Sequence, residues 1–218
     1  MPLKAERTMK KGIIFIISGF SGAGKGTVLK EVFKMVDNLG FSVSATSRKP
    51  REGEIHGQHY LFMTKEEFEG AIDRGEFAEH ALTFGNYYGT LKSEIEKNIS
   101  AGKDMVFDIN FVGAENLKKT YPDAVTVFIA PPSITVLKDR LIGRGSETEE
   151  SLARRLAEAE TEAKKIAEYD YILINDKVDE CALNLVSIIK AERTKRIRNL
   201  EFVNKLLEEI ENDGRPTH

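Results

Sequence analysis

The chain has 218 residues, 41% hydrophobic and 31% charged, enough apolar content for a full core and too much for a disordered polymer. Its 32 Lys and Arg against 35 Asp and Glu leave a net charge of −3, which offers no general basic surface, so no nucleic-acid partner is expected. The sole cysteine, Cys181, excludes an internal disulfide and fits a reducing, cytoplasmic setting, and the longest apolar run, residues 13–17, is far too short to span a bilayer, so no membrane partner is expected either.

Residues 1–11 are polar and basic and read as a flexible tail, with Met9 an alternative start. Residues 13–18 are continuously apolar or small, as in a strand buried on both faces. A glycine-rich stretch follows, and a helix is predicted over 27–36, with Val28, Leu29, Val32, Phe33 and Val36 on one face. Similar buried strands are predicted over 105–109, 125–130 and 171–174. Helices are predicted after them over 113–119, 133–141 and 178–191, with Ser133 an N-cap after Pro131-Pro132. This alternation predicts an α/β fold with a mainly parallel sheet, the core spanning 12–193.

Three segments break the rhythm. Residues 41–90 carry short alternating strands, a helix opened by a capping box of Thr64 and Glu67, and the turn Gly85-Asn86-Tyr87-Tyr88-Gly89; they read as an inserted subdomain rich in antiparallel strands. Residues 143–152, rich in Gly, Ser and Glu, read as a mobile lid between two helices. Residues 194–218 read as a C-terminal helix and tail with Ile197, Leu200, Val203, Leu207 and Ile210 along one face, packed either on its own domain or on a second subunit, so monomer and homodimer both stay open.

Gly19-Phe20-Ser21-Gly22-Ala23-Gly24-Lys25 leaves a buried strand and opens a helix, which is the setting of a P-loop. Consecutive backbone N–H groups can wrap a polyphosphate only where side chains do not intrude; the helix N-terminus adds partial positive charge, and Lys25 reaches the outer phosphates. Gly26 stands where the strict motif has Ser or Thr, and Thr27 follows. The hydroxyl role passes to Thr27 or to water, so Mg²⁺ is expected to ride on the nucleotide, bound mainly through phosphates and water, with no dedicated metal site. His56 and His59 have no further Cys or His to complete a metal set and read as polar loop residues.

A second anion site is expected at Arg48-Lys49-Pro50-Arg51, where proline restricts Lys49 to extended conformations and two guanidiniums suit the bidentate grip of a monophosphate. With this block in place, the sequence closely resembles guanylate kinases from about Lys11 to Arg193. The resemblance rests on residues 18–25, 48–54, 85–89, Ala130-Pro131-Pro132-Ser133, Gly143-Arg144-Gly145, Tyr169-Asp170-Tyr171 and Asn175-Asp176.

The resemblance implies a P-loop kinase core with an inserted GMP-binding subdomain and a lid. It implies transfer of the ATP γ-phosphoryl group to GMP and dGMP, in purine nucleotide metabolism. ATP would be bound by Gly19, Phe20, Ser21, Gly22, Ala23, Gly24, Lys25, Gly26 and Thr27, with Asn175 and Asp176 beside the adenine. Arg48, Arg51, Tyr60 and Tyr88 would hold the GMP phosphate; Ser44, Glu79 and Thr90 would read the guanine. Adenine, lacking N1–H, would leave the Glu79 carboxylate unpaired. Asp108 resembles the family's acid near the reacting phosphates. Asn110 stands where the family commonly has a second aspartate; strand alternation would point it with Asp108, its neutral amide could still accept from guanine, and both residues would belong to the GMP site. Lys25, Arg48, Arg140, Arg144 and Arg155 would neutralise the transferring group, while Arg154 is equally a surface residue paired with lid glutamates. Two other classes compete: a non-catalytic binding module of the same fold, disfavoured by the presence of Lys25 and the lid arginines, and a kinase of the same fold acting on another phosphorylated acceptor such as AMP or a sugar phosphate, with the 48–54 and 85–89 blocks arguing against AMP.

Overall fold

The computed structural model describes residues 11–83, 85–143 and 149–213. At its centre is β1 (Ile14–Ser18), buried along its whole length. It pairs in parallel with β7 (Asp104–Asp108) on one side and β8 (Val125–Ala130) on the other, and β2 (Leu39–Phe41) and β9 (Tyr171–Ile174) form the outer edges. The order is β2-β7-β1-β8-β9, all parallel, so the carboxyl ends of the strands open on one edge, where ligand sites of α/β sheets collect.

Strand alternation divides the apolar residues between two layers. Phe15 and Ile17 pack with Val28, Leu29 and Val32 of α1 (Lys25–Met35) and Leu185 and Ile189 of α7 (Val178–Thr194). Ile14 and Ile16 face the opposite layer, with Ile95 and Ile99 of α3 (Lys92–Ser100) and Leu117 of α4 (Phe111–Thr120). α5 (Ile134–Ile142) and α6 (Glu149–Ala163) close a third cluster, where Leu137, Leu141 and Ala159 meet Phe20 and Phe128.

Between β2 and α3 lies a second sheet made of β3 (Ala45–Thr46), β4 (Leu61–Phe62), β5 (Phe77–Thr83) and β6 (Asn86–Leu91), in the order β4-β3-β6-β5. Its core is Ala45, Phe68, Ala71 and Phe77, beneath α2 (Lys65–Asp73). The Thr64–Glu67 capping box is present: Thr64 Oγ1 accepts the Glu67 N–H at 3.1 Å, and Glu67 Oε2 accepts the Thr64 N–H at 2.7 Å. One pairing differs from the antiparallel expectation, since β3 and β4 run parallel.

Three boundaries depart from the sequence reading. Leu39–Phe41 is a strand of the core sheet, too short at three residues to show a period. β7 ends at Asp108, two residues before Asn110, and α4 starts at Phe111. The C-terminal segment is a 3₁₀ turn, Arg196–Asn199, followed by α8 (Leu200–Asp213). Its apolar side does not pack on the domain: Ile197, Leu207 and Ile210 are 64%, 52% and 59% exposed. Among the described residues no helix is long and apolar enough to cross a membrane.

Candidate active site

The glycine-rich loop sits at the carboxyl end of β1, the central strand. Ser18, its last residue, donates its hydroxyl to the Ile109 carbonyl at 2.8 Å and so ties the ends of β1 and β7 together. Two glycines are required by geometry. At Gly19 a Cβ would meet the Ile129 carbonyl oxygen at 2.1 Å; at Gly24 the backbone is left-handed, with φ +87°, where the loop turns into α1. Phe20 anchors the loop, its ring edge-on to Phe128 at 5.0 Å. The loop therefore delivers the N-terminus of α1, with its first-turn donors and positive dipole end, to the open edge of the sheet.

Lys25 Nζ donates to the Gly19 carbonyl at 2.8 Å and lies 3.9 Å from Asp108 Oδ1. Burial pushes the Asp108 carboxyl up, and the charge of Lys25 pulls it back. Gly26 and Thr27 are exposed on the first turn of α1. A Cβ at position 26 would meet nothing within 4 Å, so packing in the free protein does not force the departure from the strict motif.

The second constellation lies on the inserted sheet. Glu79 on β5 stands opposite Thr90 on β6, and its Oε1 accepts the Thr90 hydroxyl at 2.8 Å. Burial pushes the Glu79 carboxyl up, against the hydrogen bonds from Thr90. Tyr88, two residues from Thr90, shares its face, while Tyr87 turns into the subdomain core and stacks on Phe68 at 5.2 Å. Ser44, half-buried just before β3, accepts the Leu61 N–H on its carbonyl at 2.9 Å.

Arg48 is held in a fork by Glu54: Nη1 donates to Oε2 at 2.9 Å and Nη2 to Oε1 at 2.8 Å. The Arg51 N–H adds a third bond to Glu54 Oε2 at 2.7 Å. The Arg48 side chain first, and the Arg51 backbone next, hold the Glu54 carboxyl down at about 2. The Arg48 guanidinium carbon lies 5.4 Å from the Tyr60 ring centroid, and the Tyr60 and Tyr88 rings are 6.1 Å apart. Arg48, Tyr60 and Tyr88 thus form one cluster, with Arg51 exposed beside it.

Two further arginines converge on the loop. Arg140 on α5 donates from Nη2 to the carbonyls of Asn175, at 2.9 Å, and Asp176, at 3.5 Å; its Nη1 is buried without a hydrogen-bond partner among the described residues. Arg155 on α6 donates from Nη1 to the Ser21 hydroxyl. Arg144 lies outside the described residues, as do residues 144–148 of the expected lid and the side chain of Arg154.

Among the described residues no group of three or more His, Cys, Asp or Glu is placed to hold a metal ion. Among the described residues, the oxygen donors beside the loop include the Thr27 hydroxyl and the Asp108 carboxylate. They are too few for a protein cage and chemically matched to a hard cation that arrives on a nucleotide.

One constellation of main chain with a lysine and one of arginine with tyrosines are each suited to an anion, and comparison with known proteins decides the family. The guanylate kinase family matches residues 11–192. The chain belongs to the guanylate kinase family. A guanylate kinase of Clostridium tetani is 46% identical over 199 residues, covering 90% of this chain and 95% of that protein. One from Thermotoga maritima is 42% identical over 200 residues, covering 92% and 97%. The crystal structure of guanylate kinase from Anaplasma phagocytophilum superposes with a TM-score of 0.66 at 31% identity, over 87% of this chain and 90% of that one. Guanylate kinases are nucleoside monophosphate kinases, that is, nucleotide-binding transferases.

Of the residues that the guanylate kinase resemblance singles out, the structure gathers 19–27, Asp108, Arg140 and Arg155 around the loop, and Arg48, Tyr60, Tyr88, Glu79 and Thr90 on the inserted subdomain. Asn110 departs from the strand-alternation expectation. It does not extend β7 beside Asp108; it is the N-cap of α4, its Oδ1 accepting the Gly113 N–H at 2.9 Å, because a helix N-terminus competes for a short polar side chain. Asn175 is 1% exposed, with its carboxamide turned to the back of the loop, where Nδ2 donates to the Ala23 carbonyl at 2.7 Å; Asp176 beside it is exposed.

Two residues at the site escaped sequence reasoning. Glu54 orients Arg48, a role that its place three residues past Arg51 hinted at. Glu162 on α6 feels the charge of Lys25; burial pushes its carboxyl up, and Lys25 opposes the shift. Nothing in its amphipathic surroundings distinguished it.

Proposed function

We propose that this chain transfers the γ-phosphoryl group of ATP directly to a phosphate oxygen of GMP or dGMP, reversibly, in purine nucleotide metabolism. The observation that carries this reading is the pair of anion sites of opposite construction: the main-chain loop with Lys25, and the Arg48 fork locked by Glu54 beside Tyr60 and Tyr88. A GMP phosphate oxygen attacks the γ-phosphorus in line, the bond from that phosphorus to the β,γ-bridging oxygen breaks, and ADP leaves with the electron pair. The attacking oxygen already carries negative charge, so neither a covalent enzyme intermediate nor a strong base is required.

What the protein supplies is position and positive charge. The loop residues 19–27 cradle the ATP phosphates. As the family resemblance implies, Lys25, Arg140, Arg144 and Arg155 would neutralise the group in flight, and Arg48, Arg51, Tyr60 and Tyr88 would hold the acceptor phosphate. Ser44, Glu79 and Thr90 read the guanine edge; with one Glu79 oxygen on the Thr90 hydroxyl, the other is left for the guanine N1–H and N2–H donors. Mg²⁺ bound with ATP would lie beside Thr27 and Asp108, held mostly by phosphates and water, and would neutralise charge on the outer phosphates.

An ADP-release assay with ATP and each monophosphate in turn tests this function. GMP and dGMP should turn over and AMP should not; turnover of AMP at a rate comparable to GMP would contradict it.

A further inference from the structure

The carboxamide of Asn175 lies behind the phosphate loop rather than on its open face. The carbonyl of Ala23 can only accept, so the contact at 2.7 Å fixes the nitrogen of Asn175 on the loop side. Asn175 is itself immobilised. It is 1% exposed, its backbone N–H donates to the Ala130 carbonyl at the end of β8 at 2.8 Å, and its own carbonyl takes Arg140 at 2.9 Å. Gly24 admits this brace: a Cβ there would come within 2.6 Å of Asn175 Nδ2.

The consequence follows from peptide geometry. In the trans peptide joining Ala23 to Gly24, the carbonyl and the N–H point in opposite directions. Pinning the Ala23 oxygen backwards therefore aims the Gly24 N–H forwards, into the hollow of the loop. Were that peptide to turn over, a carbonyl would face the phosphates where a donor is needed. Asn175 Oδ1 is buried with no hydrogen-bond partner among the described residues. An unpaired buried acceptor is costly, and an apolar side chain of similar size would avoid it, so the feature that justifies an amide at this position is its donor.

We infer that Asn175 is a positioning residue of the phosphate loop, acting on any polyphosphate whatever base it carries, through the Ala23 carbonyl and the Gly24 N–H. This rests on the reading of the loop as the ATP phosphate site. The test is calorimetric titration of the full chain and its Asn175→Ala variant with ATP, with inorganic tripolyphosphate, which has no base, and with GMP. ATP and tripolyphosphate should weaken by the same factor, about ten- to a hundredfold for loss of one buried donor, with GMP affinity unchanged.

ATP weakened while tripolyphosphate is not would place Asn175 on the adenine and overturn the inference, as would no weakening of either. If the unsubstituted chain binds neither polyphosphate, the loop reading itself falls and takes the inference with it. Asn175→Leu keeps the volume, drops the donor and should show the same equal loss, which guards against an alanine variant that does not fold. In the unsubstituted protein, the NMR signals of the Gly24 amide and the Asn175 carboxamide should shift together on adding tripolyphosphate; a stationary Asn175 signal contradicts the brace.

Discussion

Replacing Glu79 by glutamine tests the proposed guanine-reading pair from two sides. One Glu79 carboxylate oxygen accepts the Thr90 hydroxyl at 2.8 Å, and the proposed guanine contact would use the acceptor capacity that remains on the carboxylate. A carboxylate can accept from both N1–H and N2–H. A glutamine retains one acceptor oxygen and presents an NH₂ group to a donor. The loss is one charge-assisted hydrogen bond and the weakening of a second, about 2–4 kcal/mol, or roughly 30- to 1,000-fold in KM for GMP. KM for ATP should not move.

Stability should change in the opposite direction. Burial raises the Glu79 carboxyl above its ordinary value of 4.5 in the folded chain. Its favourable contribution is then fully present below 4.5 and is lost as pH rises through the folded value, so at neutral pH the ionised group destabilises the fold. Glu79→Gln removes this penalty. Its thermal midpoint should exceed the parent's at neutral pH, and the difference should shrink on acidification below 4.5. Steady-state assays with varied GMP, and melts at the two pH values, check both halves. A GMP KM within twofold of the parent, or a lower midpoint at neutral pH, would refute the reasoning.

Other substitutions separate the remaining parts. Lys25→Ala should lower kcat by roughly 10²–10³-fold while GMP affinity holds, measured by single-turnover assay and titration; near-normal kcat would remove Lys25 from the transferring group. Glu54→Gln should raise KM for GMP and leave KM for ATP alone, and an equal change in both would mean that Glu54 merely supports the fold. Because the Glu54 carboxyl sits at about 2 instead of 4.5, its pair with Arg48 is fully present above 4.5 and fades only as pH falls towards 2, so a pH profile of GMP affinity should show no Glu54 ionisation near neutrality. Asn110→Ala should cost about 1 kcal/mol through loss of the α4 cap, and Asn110→Asp should not; equal midpoints for all three proteins would show that the cap is silent.

The parts of this architecture that the sequence made legible are those with a local physical cause. The run 13–18 needs burial on both faces, the loop 19–25 needs glycines and a helix behind it, and the Thr64–Glu67 box closes within one turn; each appears where its pattern predicts. The parts that were not legible depend on partners distant in sequence. Leu39–Phe41 becomes a strand only because β7 lies beside it. The grip of Asn175 on Ala23 spans 152 residues, and the contact from Arg155 to Ser21 spans 134. Asn110 illustrates competition between local rules: strand alternation would have continued β7, but the first turn of α4 captured the side chain as a cap. The helix after residue 199 has the period of a packed element, yet its apolar side chains stay in solvent, because periodicity marks a face and not what covers it.

In the proposed reaction both nucleotides are held at once and the phosphoryl group passes directly between them. The stereochemistry of transfer tests it most directly. With ATP made chiral at the γ-phosphorus by oxygen isotopes, a single in-line displacement predicts inversion of configuration in the β-phosphoryl group of the GDP formed; retention would require a phosphorylated enzyme intermediate and would contradict the account.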